Sequence, residues 1–177
     1  SVIVFCNTKD ACRRVVSELN KNGVHSLALH GDLEQKDRTE VLILFSNGSS
    51  RVLVATDVAA RGLDISGIEL VIQIEPPKDI ETYIHRSGRT ARAGKKGTCI
   101  TFYTKKTYEL VQKIEDHAGI KFKRIGVPQP EEVIKASSRD ILKNLKDVNE
   151  EVLHLFSDTA KVLIDQYDGD PEKALQV

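Results

Sequence analysis

Short apolar runs alternate with amphipathic stretches over the first two thirds of the chain. The runs are rich in β-branched residues, which favours buried strands. Five strands are predicted in this way: Val2–Cys6, Ser26–His30, Arg51–Ala55, Leu70–Ile74 and Thr98–Tyr103. The stretches between them place apolar residues on one helical face. Alternation of strand and helix at this spacing predicts an α/β fold, a doubly wound parallel sheet with helices on both faces.

Polar residues and glycines follow three of the predicted strands at the points where those strands end. Asn7–Lys9 follow the first strand, His30–Asp32 the second and Thr56–Asp57 the third. Open parallel sheets bind ligands at the carboxyl ends of their strands. A purely structural domain does not need its polar residues at one edge, so the pattern predicts a ligand site there.

The chain changes character after Gly119. Prolines at positions 128 and 130 exclude a helix, so residues 122–130 are predicted to form an extended arm. Three helices are predicted beyond the arm: Arg139 to about Val148 with Ser138 as its cap, Asn149 to Tyr167, and a short helix with Pro171 in its first turn. This small helical appendage carries an apolar face that must pack on the first domain, on itself or on another chain.

Charge is divided unevenly along the chain, although the 177 residues carry no net charge. Residues 1–122 hold 18 Lys and Arg against 15 Asp and Glu, a net charge of +3, whereas residues 123–177 hold 8 against 11, a net charge of −3. The difference predicts two units, a basic domain over 1–122 and an acidic appendage over 123–177.

The three cysteines, Cys6, Cys12 and Cys99, lie far apart and form no CxxC pair. This argues against a disulfide scaffold and against a zinc site, so no metal ligands are predicted. No apolar run approaches the length that spans a membrane, and no signal peptide is visible. Because the chain opens directly in a predicted strand, we expect a piece excised from a longer protein.

The segment Tyr83–Gly94 concentrates positive charge. It holds Arg86, Arg89 and Arg92 at three-residue spacing, which would place them on nearly one face of a helical turn. Three guanidinium groups on one face repel each other unless an anion lies between them, and their planar forks match phosphate oxygens. The segment therefore indicates a phosphate site, with a solvated basic loop as the alternative.

The chain lacks a phosphate-binding loop of its own. Such a loop needs G-x-x-x-x-G-K-[ST], and the stretch Gly88–Lys95 has the wrong glycine spacing and follows no strand. A second loop, Ala55–Ile65, follows a strand and carries Arg61 and Asp64 near the expected anion site, although an ordinary βα loop has the same composition. The sequence thus predicts a chain that reaches phosphates without a complete nucleotide pocket.

Four segments resemble motifs of the DEAD-box RNA helicases, in order and at the spacing of that family. They are Val4–Lys9 for motif IV, His30–Asp32 with Gln35 and Arg38 for motif IVa, Ala55–Ile65 for motif V, and His85–Gly94 for motif VI. The resemblance covers about residues 1–120 and implies the C-terminal RecA-like half of such a helicase. Ser87 and Ala91 depart from the family, which often has isoleucine and glycine there; we expect little effect on the arginines.

The tail resembles the nucleolar Gu/RNA helicase II group of this family. The matching stretches are Gly119–Pro128 and Ile134–Ser138. The resemblance implies a nuclear, nucleolar location, with the plastid as an alternative because some relatives of this tail type serve plastids.

The resemblance also implies roles at an ATP site. Arg89 and Arg92 would act as arginine fingers to the γ-phosphate, and Gly62 and Asp64 would contact the nucleotide, with Asp64 accepting a hydrogen bond from the ribose. His85 would act with them as a catalytic residue. The cofactor would be ATP with Mg²⁺, and the magnesium would be held by the N-terminal lobe of the same protein.

The resemblance further implies contacts to RNA. Thr8, Gly31, Arg38 and Thr56 would hold the RNA backbone, and Arg86, together with His85, would link the RNA site to the ATP site and to motif V. Contacts to phosphate and sugar do not read bases, so RNA binding would be largely independent of sequence.

Three functions follow, and the sequence alone does not decide among them. The chain is expected to be half of an RNA-dependent ATPase and helicase that closes on the N-terminal lobe and is inactive alone. The second possibility is an assembly module in which residues 123–177 form a homodimer or docking surface. The third is half of a DNA translocase of the same fold, which the residues of motifs V and VI disfavour. No membrane partner is expected.

Overall fold

The computed structural model describes residues 1–60, 68–91, 96–146 and 154–175. It divides into two compact units, Ser1–Phe122 and Lys123–Val177. Among these described residues, no helix is both long and apolar enough to cross a membrane.

The first unit is built on a five-stranded sheet whose described pairings are all parallel. Its strands are β1 (Val2–Cys6), β2 (Ser26–Leu29), β3 (Val52–Thr56), β4 (Leu70–Gln73) and β5 (Thr98–Thr101). They lie in the order β2-β3-β1-β4-β5, with β1 in the centre. The chain places β2 and β3 on one side of β1 and then β4 and β5 on the other. The predicted strands and their parallel arrangement are confirmed, with ends that differ by one or two residues.

Helices connect these strands. They are α1 (Lys9–Lys21), α2 (Gln35–Ser46), α3 (Asp57–Ala60), α4 (Ile80–Ser87) and α5 (Tyr108–Ala118), the last preceded by a single 3-10 turn, Lys105–Thr107. Helix α1 begins where the Thr8 hydroxyl accepts a hydrogen bond from the Ala11 amide at 3.1 Å. Helix α4 begins in the same manner at Asp79, whose carboxylate accepts from the Thr82 amide at 3.0 Å.

The two faces of the sheet carry separate apolar cores. Ile3, Phe5 and Leu53 point to the face that α2 covers, whereas Val4 and Val54 point to the face that α1 covers. Neighbouring residues along each strand alternate between the faces, as the period of a strand requires. Burial on both faces explains why the strands are continuous apolar runs, and it confirms the doubly wound α/β fold.

The second unit contains helices whose boundaries differ from the prediction. They are α6 (Pro130–Lys146), a 3-10 turn (His154–Phe156), α7 (Ser157–Asp165) and α8 (Pro171–Leu175). The short helix at Pro171 agrees with the prediction. The predicted end of the first helix at Val148 and the predicted start of the second at Asn149 lie outside the described residues.

The start of α6 corrects the prediction of a helix capped by Ser138. Pro130 stands in the first turn, where its missing N–H is not needed. Glu132 accepts a hydrogen bond from the Gln129 amide at 2.9 Å, which stabilises a start at that point. Ser138 lies inside the helix instead, where its hydroxyl donates to the Ile134 carbonyl at 2.9 Å. The prolines therefore end the extended arm and begin the helix.

Candidate functional site

Arg86 is the central side chain of the site. It lies in the last turn of α4 and is only 2% exposed. Its guanidinium donates two hydrogen bonds to the Asp57 carboxylate, Nε to Oδ1 and Nη2 to Oδ2, each 2.6 Å long. This two-point geometry is the strongest that an arginine forms with a carboxylate. Since Asp57 begins α3 directly after β3, the pair ties α4 to the carboxyl end of the sheet.

Two amide side chains and a ring complete the surroundings of Arg86. Nη2 donates to the Asn7 Oδ1 at 2.9 Å, and Nη1 donates to the Gln73 Oε1 at 3.4 Å. The guanidinium carbon lies 5.3 Å from the centre of the Phe5 ring. A buried charge is tolerated when it is both paired and hydrogen-bonded, and Arg86 meets both conditions.

Arg86 and Arg89 do not lie on one helical face, which corrects for these two residues the prediction drawn from their spacing. Helix α4 ends at Ser87, and Gly88 donates its amide to the Ile84 carbonyl at 2.9 Å as the closing bond. Arg86 is turned inward, whereas Arg89 lies in the turn after the helix and donates its amide to the Arg86 carbonyl at 3.1 Å. Arg92 lies outside the described residues.

The turn after α4 is held against the sheet. The buried Thr90 hydroxyl donates to the Ile68 carbonyl at 2.6 Å. Gly97 approaches the same turn so closely that a Cβ there would lie 2.2 Å from the Thr90 Oγ1 and 2.5 Å from the Ala91 nitrogen. Ala91 has a φ of +58°, in the left-handed region where glycine is favoured. The turn is therefore held by the hydrogen bond of Thr90 and by its close contact with Gly97, and Ala91 adds local backbone strain.

A cleft of about 430 Å³ opens beside Arg86. Its lining contains the basic residues His85, Arg86 and Arg89, the carboxylates Asp57, Asp79 and Glu81, and Phe5 and Thr82. Two of its carboxylates are already occupied, Asp57 by Arg86 and Asp79 by the start of α4. Arg89 and His85 bring nitrogen donors to the cleft, which suits an anion, and Glu81 is the third carboxylate of its lining.

The residues predicted to hold RNA lie along the carboxyl edge of the sheet. Cys6 pairs with Thr56, and Leu29 pairs with Ala55, so the ends of β1, β2 and β3 are level. Thr8 and Gly31 follow two of these ends and are exposed. Arg38 lies on α2 and donates to the Ala59 carbonyl at 3.3 Å. The parallel sheet therefore brings residues 8, 31 and 56 to one edge.

Two basic side chains at this edge share one acid. Asp32 contacts the Lys9 ammonium at 3.0 Å and the Arg13 guanidinium at 2.7 Å. The pKa of the Asp32 carboxyl is lowered. The hydrogen bond from Lys9 is the largest cause, and the hydrogen bond from Arg13 is the second. Because the pKa of Asp32 is lower in the folded chain than its ordinary value, its interactions with Lys9 and Arg13 stabilise the fold at any pH above that ordinary value. This stabilisation is lost as the pH falls through the lowered pKa.

The cysteines are not reactive groups. Burial raises the pKa of the Cys6 thiol to about 12, and burial also raises the pKa values of Cys12 and Cys99. These thiols stay protonated at neutral pH, and Cys6 and Cys12 are buried in the core. Within the described ranges, no group of three or more His, Cys, Asp or Glu is placed to hold a metal ion.

Arg86 is buried against Asp57 and is only 2% exposed, so it offers little surface here, and its contact with RNA stays a prediction. It does link α4 to the loop after β3, as also predicted. The predicted nucleotide residues Gly62 and Asp64 lie outside the described residues, as does Arg92.

Sequence reasoning missed Gln73 and the side-chain role of Asn7. Gln73 is fully buried, and besides Arg86 it contacts Cys99, donating from Nε2 to Sγ at 3.5 Å. A polar amide inside the apolar run of β4 was the signal that could have identified it. Asn7 donates to the Glu75 Oε2 at 3.2 Å as well as accepting from Arg86, so it joins the loops after β1 and β4.

We expect Asp57→Asn to destabilise the first unit by about 3 kcal/mol, because Arg86 would keep its buried charge without a charged partner. Urea unfolding followed by circular dichroism measures the change. Asp158→Asn is the matched control, since that carboxylate is 98% exposed and its contact with Lys161 is 3.7 Å long. The control is expected to change stability by less than about 0.5 kcal/mol. Equal effects of the two substitutions would contradict a structural role for the Arg86 pair.

We expect Ala91→Gly to stabilise the chain by about 0.5–1 kcal/mol. Relief of the left-handed backbone gains about 1–2 kcal/mol, and the greater freedom of glycine in the unfolded chain offsets part of it. Thermal unfolding measures the difference. The same replacement at Ala11, inside α1, is expected to lower stability, and a loss of stability at both positions would contradict the strain at Ala91.

Comparison with known proteins identifies the family. Residues 1–94 match the family model described as the helicase conserved C-terminal domain, and residues 129–177 match the DDX21/DDX50 dimerisation domain. The chain is 51% identical over 168 residues to nucleolar RNA helicase 2 of Mus musculus, covering 93% of this chain and 19% of the relative. It is 44% identical over 167 residues to the ATP-dependent RNA helicase DDX50 of Homo sapiens, covering 93% of this chain and 22% of the relative. The chain thus spans about a fifth of the length of these curated relatives.

Solved structures agree with this family. The DEAD box protein from Methanococcus jannaschii is 39% identical with a TM-score of 0.67, covering 71% of this chain and 34% of that one. The C-terminal domain of the DEAD-box protein Dbp5 is 33% identical with a TM-score of 0.67, covering 78% of this chain and 82% of that one. The chain therefore belongs to the helicase conserved C-terminal domain family, as the C-terminal RecA-like domain of a DEAD-box RNA helicase similar to the nucleolar RNA helicase 2 group.

Proposed function

We propose that the complete protein is an ATP-dependent RNA helicase and that this chain is the lobe that closes on the N-terminal RecA-like lobe around ATP and RNA. The observation that carries the proposal is the Arg86–Asp57 pair, which fixes the end of α4 so that His85 and Arg89 line the cleft. The relatives, which are named as RNA helicases, support the same activity.

In this proposal, Arg89 is an arginine finger. It stabilises the charge that develops on the γ-phosphate during phosphoryl transfer. Arg92 would be the second finger, and Gly62 and Asp64 would hold the nucleotide, with the ribose on Asp64. His85 lies on the cleft wall next to Arg86, so it can pass a change at the nucleotide to the loop that Arg86 holds.

The magnesium ion that accompanies ATP would be held by the N-terminal lobe. Two of the three carboxylates that line the cleft support this division, because Asp57 is engaged by Arg86 and Asp79 by the amide and hydroxyl of Thr82; the third is Glu81. The ion would neutralise charge on the β- and γ-phosphates. Residues of this chain supply positive charge to the opposite side of the γ-phosphate.

RNA would run along the carboxyl edge of the sheet, over Thr8, Gly31, Arg38 and Thr56. The surroundings of Gly31 support this path. A Cβ built at Gly31 meets nothing within 4 Å, and its φ is not in the left-handed region, so the fold itself does not require glycine there. An RNA backbone that passes close to residue 31 would explain why a glycine stands there. Binding through phosphate and sugar would be largely independent of base sequence.

We expect Arg89→Ala in the full-length helicase to lower the kcat of RNA-stimulated ATP hydrolysis by about 10³-fold or more, because the transition state loses its charge partner. The KM for RNA should change little, since the substitution removes no RNA contact. A coupled assay with saturating ATP and single-stranded RNA measures both quantities.

Arg51→Ala is the matched control for this experiment. Arg51 has the same side chain at the opposite, amino end of β3, where 78% of it is exposed. It should leave kcat unchanged. Full activity of the Arg89 variant would contradict the finger, and ATP turnover by the pure 177-residue chain would contradict the need for a second lobe.

We further propose that residues 123–177 join two copies of the chain. Leu155 and Phe156 are exposed at 67% and 59%, and Val162 on α7 is exposed at 58%. Large apolar side chains at this exposure, close together in sequence, are typical of an interaction surface. The match of residues 129–177 to a dimerisation domain favours a second copy as the partner.

We expect the wild-type chain to sediment at about twice its monomer mass of 19.7 kDa at micromolar concentration. The double substitution Leu155→Asp and Phe156→Asp should restore the monomer mass, because buried unpaired charge opposes an apolar interface. Circular dichroism must show an intact fold. Val127→Asp is the control, since Val127 is 82% exposed on the arm. A wild-type chain that stays monomeric contradicts the dimer.

We propose a nucleolar location for the complete protein. The support is the name of the relatives that are 51% identical, nucleolar RNA helicase 2. The plastid alternative finds no support among the relatives reported above.

A further inference from the structure

Phe122 is the last residue of the first unit, and residues 95–128 belong to neither of the matched family models. Its half-buried ring packs edge-on against the ring of Tyr83, with centres 5.5 Å apart and planes at 87°. This geometry places the positive edge of one ring on the negative face of the other and is favourable beyond the area it buries.

Phe122 is held in this position by its own backbone. Its amide donates to the Glu115 Oε1 at 2.7 Å, and Glu115 is only 7% exposed. The chain between them closes tightly: α5 ends at Gly119 with a φ of +63°, and the Ile120 amide donates to the Glu115 carbonyl at 3.1 Å. A buried carboxylate that accepts a backbone N–H makes a strong, directional bond, so the ring has a defined location.

Tyr83 connects this contact to the site. It lies on α4 three residues before Arg86, and it is 5% exposed. Burial raises the pKa of its hydroxyl, with a smaller contribution from Cys99. Cys99 in turn accepts from Gln73, and Gln73 accepts from Arg86. Tyr83 therefore reaches Arg86 by one turn of the same helix, on which both side chains are buried.

We propose that Phe122 is a positioning residue for the arginine-bearing end of α4: by packing on Tyr83, it fixes where Arg86 and Arg89 stand beside the cleft. The inference rests on the proposed function in assigning Arg89 to ATP, but the positioning itself is a property of the fold. It also gives the arm a defined starting point, because the segment that matches the dimerisation domain begins at residue 129.

Two substitutions in the full-length helicase test the proposal, Phe122→Ala and Phe122→Leu. The leucine side chain keeps most of the apolar volume of phenylalanine but has no aromatic ring. The leucine variant therefore still tests the proposal if the alanine variant does not fold. Ile125→Ala is the matched control, because Ile125 lies three residues further along the same arm and is 62% exposed. Hydrogen exchange is followed at the Gly88 and Arg89 amides, which close α4, and at amides of β1 and β3 as internal reference.

We expect exchange at the end of α4 to accelerate about tenfold or more in both variants, with the sheet amides unchanged, as a local loosening requires. The kcat for ATP hydrolysis should fall by about 10- to 100-fold, since displacements near 1 Å have effects of that size, while the KM for ATP stays the same. The control should match the wild type in both measurements.

Three results would overturn the proposal. Unchanged exchange at α4 would remove the positioning, and equal acceleration in α4 and the sheet would reduce Phe122 to a general packing residue. Faster exchange at α4 with an unchanged kcat would show that the position of α4 does not matter for turnover. A wild-type helicase without RNA-stimulated hydrolysis would instead contradict the proposed function, and exchange alone would then decide whether Phe122 positions α4.

Discussion

The structure of the site depends on the buried pair between Arg86 and Asp57. Three loops that follow different strands meet at this guanidinium: Asn7 after β1, Asp57 after β3, and α4 after β4. An apolar side chain of similar volume could fill the same space and, by the general behaviour of buried ion pairs, give equal or greater stability. Such a side chain makes no hydrogen bonds, so it could not fix the orientation of α4 relative to the loops that carry Asn7 and Asp57. The pair thus determines the position of the helix end more than it determines the stability of the sheet.

The parallel sheet explains why these groups can meet at all. In an antiparallel sheet, successive loops would lie at opposite edges, whereas here the level ends of β1, β2 and β3 collect their following residues at one edge. The buried faces of the strands tolerate only apolar residues with few exceptions. Gln73 is such an exception, and its position at the carboxyl end of β4 lets it contact Arg86.

Much of the fold was predictable from the sequence, because strands buried on both faces must be continuous apolar runs and their period separates them from the helices between them. The orientation of charged side chains was not. A three-residue spacing in Arg86, Arg89 and Arg92 says nothing about where the helix ends. Helix α4 ends at Ser87, so Arg86 lies on its buried face and Arg89 lies in the turn beyond it. The Asp57 partner is 29 residues away in sequence, so no local pattern shows the pair. The start of α6 was missed because Pro130 was interpreted only as a helix breaker, although proline is also favoured in a first helical turn.

Ala91 shows how a strained residue can be kept beside such a site at low cost. The backbone there is left-handed, where alanine is strained by about 1–2 kcal/mol. The bonds that hold the turn do not involve the alanine side chain: Thr90 is fixed by the Ile68 carbonyl, and Gly97 leaves no room for the turn to move toward it. Strain at one residue persists when its surroundings determine the conformation independently. The turn that carries Arg89 is therefore set by residues 90 and 97, and the strain at 91 lowers stability without changing where the arginine is presented.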